Sequence, residues 1–459
     1  MFSLNRKLDP NLKACIITKP YTNYRILIKY KRFQESILKR ISSYKGSVIN
    51  HIEHCKIISA SLNSKGIQRL LEYPEVEYIC FDEYLFLCGI SVNTANKVRF
   101  SSKTRNKGKG IGVAIIDSGV YPHQDLTSPY NRISSFVDLV NNLNHPYDDN
   151  GHGTCTAGII GGNGKKSNGM YSGIAPECKI YSYKAFNKTG KGYFSDILYS
   201  MELVSKNAEK NNIKILCLPF ELLSYNIFLL KLFDLMSSLL VSKNVTCIIP
   251  SGSNRNLDGS ITGIALCNNC ITVAGYDSTA NIKPYTYSST GSLRKDSKPN
   301  LCAACVDIVS LNSDTNFISE RDGSKLYPSK LDLSYKTFSG TSIAAAYVAG
   351  VCALIYEENQ NLTPKDIASI LKVGCEPLDD IPKNYQGDGK INIKLILKSW
   401  DISAFYWTIY FVGSTGSFLT LNSKCKWGPV LNPVFPTLPI TSPFFTISPT
   451  STLKLLKWP

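Results

Sequence analysis

Between residues 111 and 274 short apolar runs alternate with longer amphipathic ones, and this alternation restricts the chain to few folds. Ile111 to Ile116, Lys179 to Tyr183, Ile213 to Leu218, Val245 to Ile249 and Ile271 to Ala274 read as strands, while Phe194 to Asn211 and Phe228 to Lys243 carry apolar residues at helical spacing. Strands this uniformly apolar need cover on both faces, so the pattern predicts a largely parallel sheet between layers of helices, an α/β fold. In such sheets reacting groups collect at the carboxyl ends of the strands.

A smaller α+β unit precedes this region. Tyr24 to Tyr30 alternates like a strand, Phe33 to Ile41 has the spacing of a short helix, and strand-like pieces fall within Val48 to Leu62. Ser64 to Leu71 reads as a second helix and Val76 to Phe81 as a closing strand. That order and size predict a ferredoxin-like module. The chain then divides into a polar lead (1–22), this module (23–88), a basic linker (89–108), the α/β body (109–398) and a tail (399–459). The linker, polar and lysine-rich, suits an exposed segment open to cutting. Residues 428–459 hold seven prolines among Ser and Thr, which predicts a loosely ordered end.

The formal net charge is +16, from 51 Lys+Arg against 35 Asp+Glu. Residues 1–110 contain 20 Lys+Arg and 8 Asp+Glu, so +12 of that excess lies in the first quarter. A basic segment raises the question of nucleic acid. No aromatic platform is interleaved with these charges, so the reading is a detachable part or a partner for an acidic surface, and no nucleic-acid partner is expected. Fifteen cysteines, scattered from Cys15 to Cys425, form no compact framework. No secretory signal is evident at the N-terminus, so the expectation is a cytoplasmic protein with mostly free thiols. The longest aromatic-apolar stretch, Phe405 to Val412, falls far short of the ~20 residues that span a bilayer, and no membrane partner is expected.

Three segments carry candidate chemistry. Ile115-Ile116-Asp117-Ser118-Gly119 ends an apolar strand in a carboxylate, which alone reads as a turn residue or cap. Asn150-Gly151-His152-Gly153-Thr154 sets a histidine, the side chain suited to moving protons near neutral pH, between glycines that allow close backbone approach. Phe338-Ser339-Gly340-Thr341-Ser342 places a serine at the start of a small-residue helix, where it alone reads as an N-cap. Asp, His and Ser in that chain order at the edge of an α/β core form one of the orders that reach the triad geometry.

On these residues the chain resembles the subtilisin-like serine proteases over about residues 109 to 398. Asp117-Ser118-Gly119 resembles the family's Asp-(Thr/Ser)-Gly, His152-Gly153-Thr154 its His-Gly-Thr, and Gly340-Thr341-Ser342 with the small residues that follow its Gly-Thr-Ser-Met-Ala block. Tyr121-Pro122-His123-Gln124-Asp125-Leu126, Asp148-Asp149-Asn150-Gly151-His152 and Gly173-Ile174-Ala175-Pro176 are similar in particular to intracellular AprX-type subtilases. The resemblance implies peptide-bond hydrolysis of protein or peptide substrates by Asp117, His152 and Ser342, with no cofactor required for catalysis; structural calcium stays open. It also implies that the N-terminal module is an inhibitory propeptide, with Tyr73-Pro74-Glu75-Val76 resembling the closing segment, as against a permanent accessory domain.

Two departures from the family stand out. Where relatives place an oxyanion-binding Asn after Gly252, this chain has Ser253, and Asn254 comes one residue late. The substrate-binding strand, Ser-Leu-Gly in relatives, is Pro219-Phe220-Glu221 here. A Glu221 that faces the pocket favours basic substrate residues; a solvent-facing Glu is the more ordinary expectation. A lesser change puts Ala346-Tyr347 where relatives carry Pro-His. These departures keep open a second class of protein, a subtilase-fold binding or regulatory partner without catalysis. Cys267/Cys270 and Cys302/Cys305 have zinc-knuckle spacing, although the 31 residues between them exceed the usual gap and buried thiols are the expected reading. Cys155, three residues past His152, reads as a thiol whose modification would block the cleft.

Overall fold

The structure, a computed structural model, describes residues 7–18, 21–83, 106–223, 226–279, 281–291, 298–393 and 396, and as backbone only 84–87, 406–412 and 418–424. In chain order the first elements are α1 (Pro10–Thr18), β1 (Tyr24–Tyr30), α2 (Gln34–Ser43), β2 (Ser47–Ile52), β3 (Ile57–Leu62), α3 (Ser64–Leu71), β4 (Val76–Phe81) and β5 (Tyr84–Leu87). Strands β1 to β4 form an antiparallel sheet in the order β2-β3-β1-β4. Because successive strand residues point to opposite faces, Ile26, Ile28, Ile58 and Ile79 pack with Ile37, Ile41, Ile67 and Leu70 of α2 and α3, while Leu27, Ile57 and Cys80 look the other way. Asn63 caps α3 by accepting from the Gly66 N–H at 2.8 Å.

The polar lead is in part structural. Helix α1 buries Leu12 and Ile16 in the module's core, and Asp9 caps it through the N–H groups of Asn11 and Leu12 at 3.0 and 3.1 Å. Only two buried positions mark this short helix, too few for a period to register in the sequence.

The second part runs β6 (Gly112–Asp117), α4 (Gln124–Thr127), β7 (Ile133–Asp138), α5 (His152–Gly161), β8 (Lys179–Lys184), β9 (Lys191–Tyr193) and α6 (Phe194–Asn207). It continues through β10 (Ile213–Cys217), β11 (Phe220–Glu221), α7 (Ile227–Ser242), β12 (Thr246–Pro250), β13 (Cys270–Asp277), β14 (Lys283–Pro284), β15 (Leu301–Ala304) and α8 (Thr341–Glu358). Seven of these strands lie side by side in the order β15-β13-β12-β10-β6-β8-β7, every neighbouring pair parallel. Ala114, Ile116, Leu216 and Ile249 face α6 and α7 in one continuous core. By the strand's two-residue period, Val113, Ile115 and Asp117 face the opposite side, where α5 and α8 pack together.

The core under α6 also takes in Leu27, Ile52, Ile57 and Cys80, so the second face of the small sheet is buried against the body. Residues Met1–Ile393 form one compact unit, and Lys394–Pro459 a second. In the second unit Tyr406–Val412 and Phe418–Lys424 pair as an antiparallel hairpin, which the tail's composition did not announce. Most of the basic linker and the proline-rich residues 428–459 lie outside the described residues. Among the described residues no helix is long and apolar enough to cross a membrane.

Leu12 is fully buried, so L12A is expected to cost about 2–5 kcal/mol, the usual penalty for emptying such a site. Faster amide hydrogen exchange in β4 of L12A would register the loss; identical exchange in both proteins would show that α1 contributes nothing to the module.

Candidate active site

Strand β6 is buried at every position and delivers Asp117 to its carboxyl end inside the protein. The carboxylate is held by donors on every side. It accepts from His152 Nδ1 at 2.9 Å to both oxygens, from the Ser118 N–H at 2.6 Å and from Thr156 Oγ1 at 3.0 Å. His152 opens α5, and its other ring nitrogen, Nε2, lies 3.0 Å from Ser342 Oγ. Ser342 is the second residue of α8, fully buried. The three side chains predicted from the sequence therefore converge, although 190 positions separate His152 from Ser342.

Close backbone approach fixes the histidine. A Cβ on Gly153 would stand 2.1 Å from the Gly119 carbonyl oxygen, so any other residue there would push α5 off the β6 loop. A second carboxylate, which the sequence reading passed over, organises the same loop. Asp148 is wholly buried and accepts from the Asn150 and Gly151 N–H groups at 3.1 and 2.8 Å, the Thr154 N–H at 2.8 Å, Thr154 Oγ1 at 2.6 Å and Ser118 Oγ at 2.9 Å. Lys184, also fully buried, donates to the Ser118 and Phe186 carbonyls at 2.5 and 3.0 Å and pairs with Asp149 at 2.6 Å. The acid pair beside His152 was visible in the sequence; which of its two members turns inward was not.

The pocket residues correct one expectation. Glu221 is not solvent-facing: it is 8% exposed, and its carboxylate accepts from the Ser253 N–H at 2.8 Å and from the Ser253 hydroxyl. The hydroxyl of Ser253 is thereby committed. Asn254 Nδ2 donates to the Ser260 carbonyl at 3.2 Å and to Thr262 Oγ1 at 3.4 Å. Both side chains considered as oxyanion donors are turned to structural partners. Gly252 lies beside Glu221, and its carbonyl accepts from Thr341 Oγ1 at 3.2 Å. Phe220 is buried against Phe186, ring centroids 5.1 Å apart.

Strand β11 does not stand alone. It pairs antiparallel with β5, Glu221 opposite Phe86 and Phe220 opposite Leu87, and the other edge of β5 pairs with β9. The end of the N-terminal module is thus the middle strand of a three-stranded sheet beside the triad.

Cys155 is a further correction. It is fully buried, and burial pushes its thiol well above the ordinary range, so it is not the accessible thiol its position suggested. Cys270, Cys302 and Cys305 are buried free thiols and Cys267 a half-buried one. Among the described residues no group of three or more His, Cys, Asp or Glu is placed to hold a metal ion.

A parallel sheet with an Asp, a His and a Ser in hydrogen-bond reach at its carboxyl edge defines an α/β protein with a candidate catalytic triad. Residues 108–389 match the Subtilase family, Peptidase_S8, and the chain belongs to that family. It is 33% identical over 300 residues to "Serine protease AprX" of Bacillus subtilis (strain 168), an alignment covering 62% of this chain and 65% of that protein. It is 27% identical over 294 residues to "Subtilisin" of Bacillus sp. (strain TA39), covering 61% and 65%. The solved structure of fervidolysin from Fervidobacterium pennivorans, described as a keratinolytic enzyme related to subtilisin, superposes with a TM-score of 0.63 at 18% identity, covering 82% of this chain and 61% of that one. That similarity is one of fold.

Replacing Asp148 by Ala leaves the buried N–H groups of Gly151 and Thr154 without an acceptor, each worth about 1–3 kcal/mol. D148A is expected to lower the thermal midpoint by several degrees, and an unchanged midpoint would show that the loop holds His152 by other means.

Proposed function

We propose that the chain is a serine endopeptidase that hydrolyses peptide bonds through an acyl-enzyme. Asp117 orients the imidazole of His152 and stabilises it once protonated. His152 takes the proton from Ser342 Oγ as that oxygen attacks the peptide carbonyl, then returns it to the leaving amine; water releases the acyl group by the same route. The observation that carries this reading is the continuous path Asp117–His152–Ser342, with contacts of 2.9 and 3.0 Å. Ser342 near the N-terminus of an 18-residue helix also sets the developing oxyanion in a favourable field. The engagement of Ser253 and Asn254 elsewhere favours turnover below that of relatives with a free donor. In a member of this family loss of that donor costs about 10²–10³ in turnover. It is also the observation that favours the second reading, a binding protein on the same fold.

The N-terminal module is best read as a propeptide that covers the cleft. Its strand β5 takes the place between β9 and β11 that an extended substrate would occupy, by main-chain pairing. Pro219 and Phe220, Glu221 and Gly252 are then substrate-binding positions. Arg25 ties the module down: its guanidinium reaches Asp82 and Asp196, both at 2.7 Å, and stacks 3.6 Å over the Tyr193 ring. Asp82 caps α6 through the Ser195 N–H at 2.8 Å. The thirteen described cysteines are all free thiols, which supports a reducing compartment such as the cytoplasm.

Incubated with a fluorophosphonate probe, the full chain is expected to gain label at Ser342 and none in S342A; equal labelling of both would end the peptidase reading. Cleavage within the linker, absent in S342A by mass spectrometry, is the companion result for self-processing.

The module's release is expected to depend on pH. Burial, with the charge of Asp82 adding to it, pushes the Asp196 carboxyl up to about 7 against the opposing pull of Arg25 and Asn50. Freed of the module it would return toward 3.8, its ordinary value. The docked state therefore binds the extra proton, so docking is strongest at low pH and weakens as pH rises through about 7. The rate at which the full chain gains label should rise across that window, and D196N should remove part of the rise. An identical pH profile in D196N would exclude Asp196 from control.

A further inference from the structure

The Glu221 carboxylate spans the gap between β11 and the loop after β12. Oε2 accepts from the Ser253 N–H at 2.8 Å, and Oε1 accepts from the Ser253 hydroxyl. Gly252 makes room for it. With φ at +102° and no side chain, this residue lets the carboxylate lie where a Cβ would stand 2.8 Å from Oε2. The Gly252 carbonyl is tied to Thr341, the neighbour of Ser342, at 3.2 Å. The carboxylate is thus held against the segment that is tied to the residue before the nucleophile.

Both of its hydrogen-bond donors are neutral. None of the ion pairs among the described residues involves Glu221. A carboxylate 8% exposed whose donors are both neutral has no counter-ion of its own, and a positive group arriving beside it would supply one. The strand that pairs with β11 in this chain, Tyr84-Leu85-Phe86-Leu87, brings no cation. A substrate strand on the same edge of β11 can supply one.

We infer that Glu221 is a specificity-determining residue that selects substrates with Lys or Arg at the residue whose carbonyl Ser342 attacks. The incoming ammonium or guanidinium pairs with the carboxylate beside Gly252, which contributes no side chain of its own, with Ser289 as the neighbouring hydroxyl, while Ser253 keeps the carboxylate in place. Selection at this site rests on the peptidase reading above. It also gives the glycine-to-glutamate departure in the substrate-binding strand a function: a basic substrate gains a pairing that the chain's own β5 does not offer, and so displaces it more readily than an apolar one.

The full chain is incubated until fluorophosphonate labelling of Ser342 reaches a plateau under matched conditions. Peptides identical except for Lys, Arg, Ala, Phe or Glu at that residue are then compared. Lys and Arg are expected to exceed Ala and Phe by about 10- to 100-fold in kcat/KM, and Glu to be the poorest. E221Q should abolish the preference and E221D retain part of it, a rescue that a merely space-filling side chain would not show. A preference for Ala over every larger residue would mean that Glu221 plugs the pocket, and it would overturn the selection, as would a Lys preference that survives in E221Q. Labelling with indifference to Lys and Arg removes the selection alone. No labelling of the wild-type chain removes the peptidase reading and the selection with it.

Discussion

Asp117 ends an interior strand of a parallel sheet, buried, with three donor groups making four contacts to its two oxygens. A carboxylate in that position would be prohibitively costly without them, so its burial dictates what surrounds it. Thr156 and His152 must come from one helix, one turn apart, and that helix must lie against the strand's end. Gly153 lets it approach, and the Asp148 loop sets where it begins. Helix α8 then packs on α5 and brings Ser342 to the free side of the imidazole. The site is a consequence of satisfying one acid inside an apolar sheet.

Much of this was legible in the sequence, for a physical reason. Buried parallel strands must be apolar throughout, so Gly112–Asp117, Lys179–Lys184, Ile213–Cys217 and Thr246–Pro250 fall within a residue or two of their sequence readings. Helix α3 and strand β4 coincide with theirs because Asn63 and the Tyr73-Pro74 turn punctuate them. Asp117, His152 and Ser342 were legible because each stands at the end or start of such an element. What escaped were features set by tertiary contact alone. Glu221 looks like a surface residue until Gly252 and Ser253 come round to meet it. Cys155 looks accessible beside His152, yet it is fully buried with its thiol against Ser310. Asp148 and Asp149 are indistinguishable in a row of acids, and only the fold sends one inward and pairs the other with Lys184.

The basic excess of the N-terminal region acquires a local meaning at its contact with the body. Arg25 meets Asp82 and Asp196, and the N–H of His54 donates to Glu202 at 3.2 Å. These contacts lie around an apolar seam in which Tyr78 and Phe228 stand 4.7 Å apart, centroid to centroid. Apolar area supplies most of the adhesion, whereas the charges fix orientation and make the contact responsive to protons.

The cap that Asp82 places on α6 is borrowed across the seam, from one folded module to another. A body parted from residues up to 87 keeps the helix but forfeits the acceptor at its first turn, and Asp196 loses its counter-ion at the same time. Such a molecule would hold the start of α6 less firmly than the whole chain does, by about 0.5–2 kcal/mol, the usual worth of a cap.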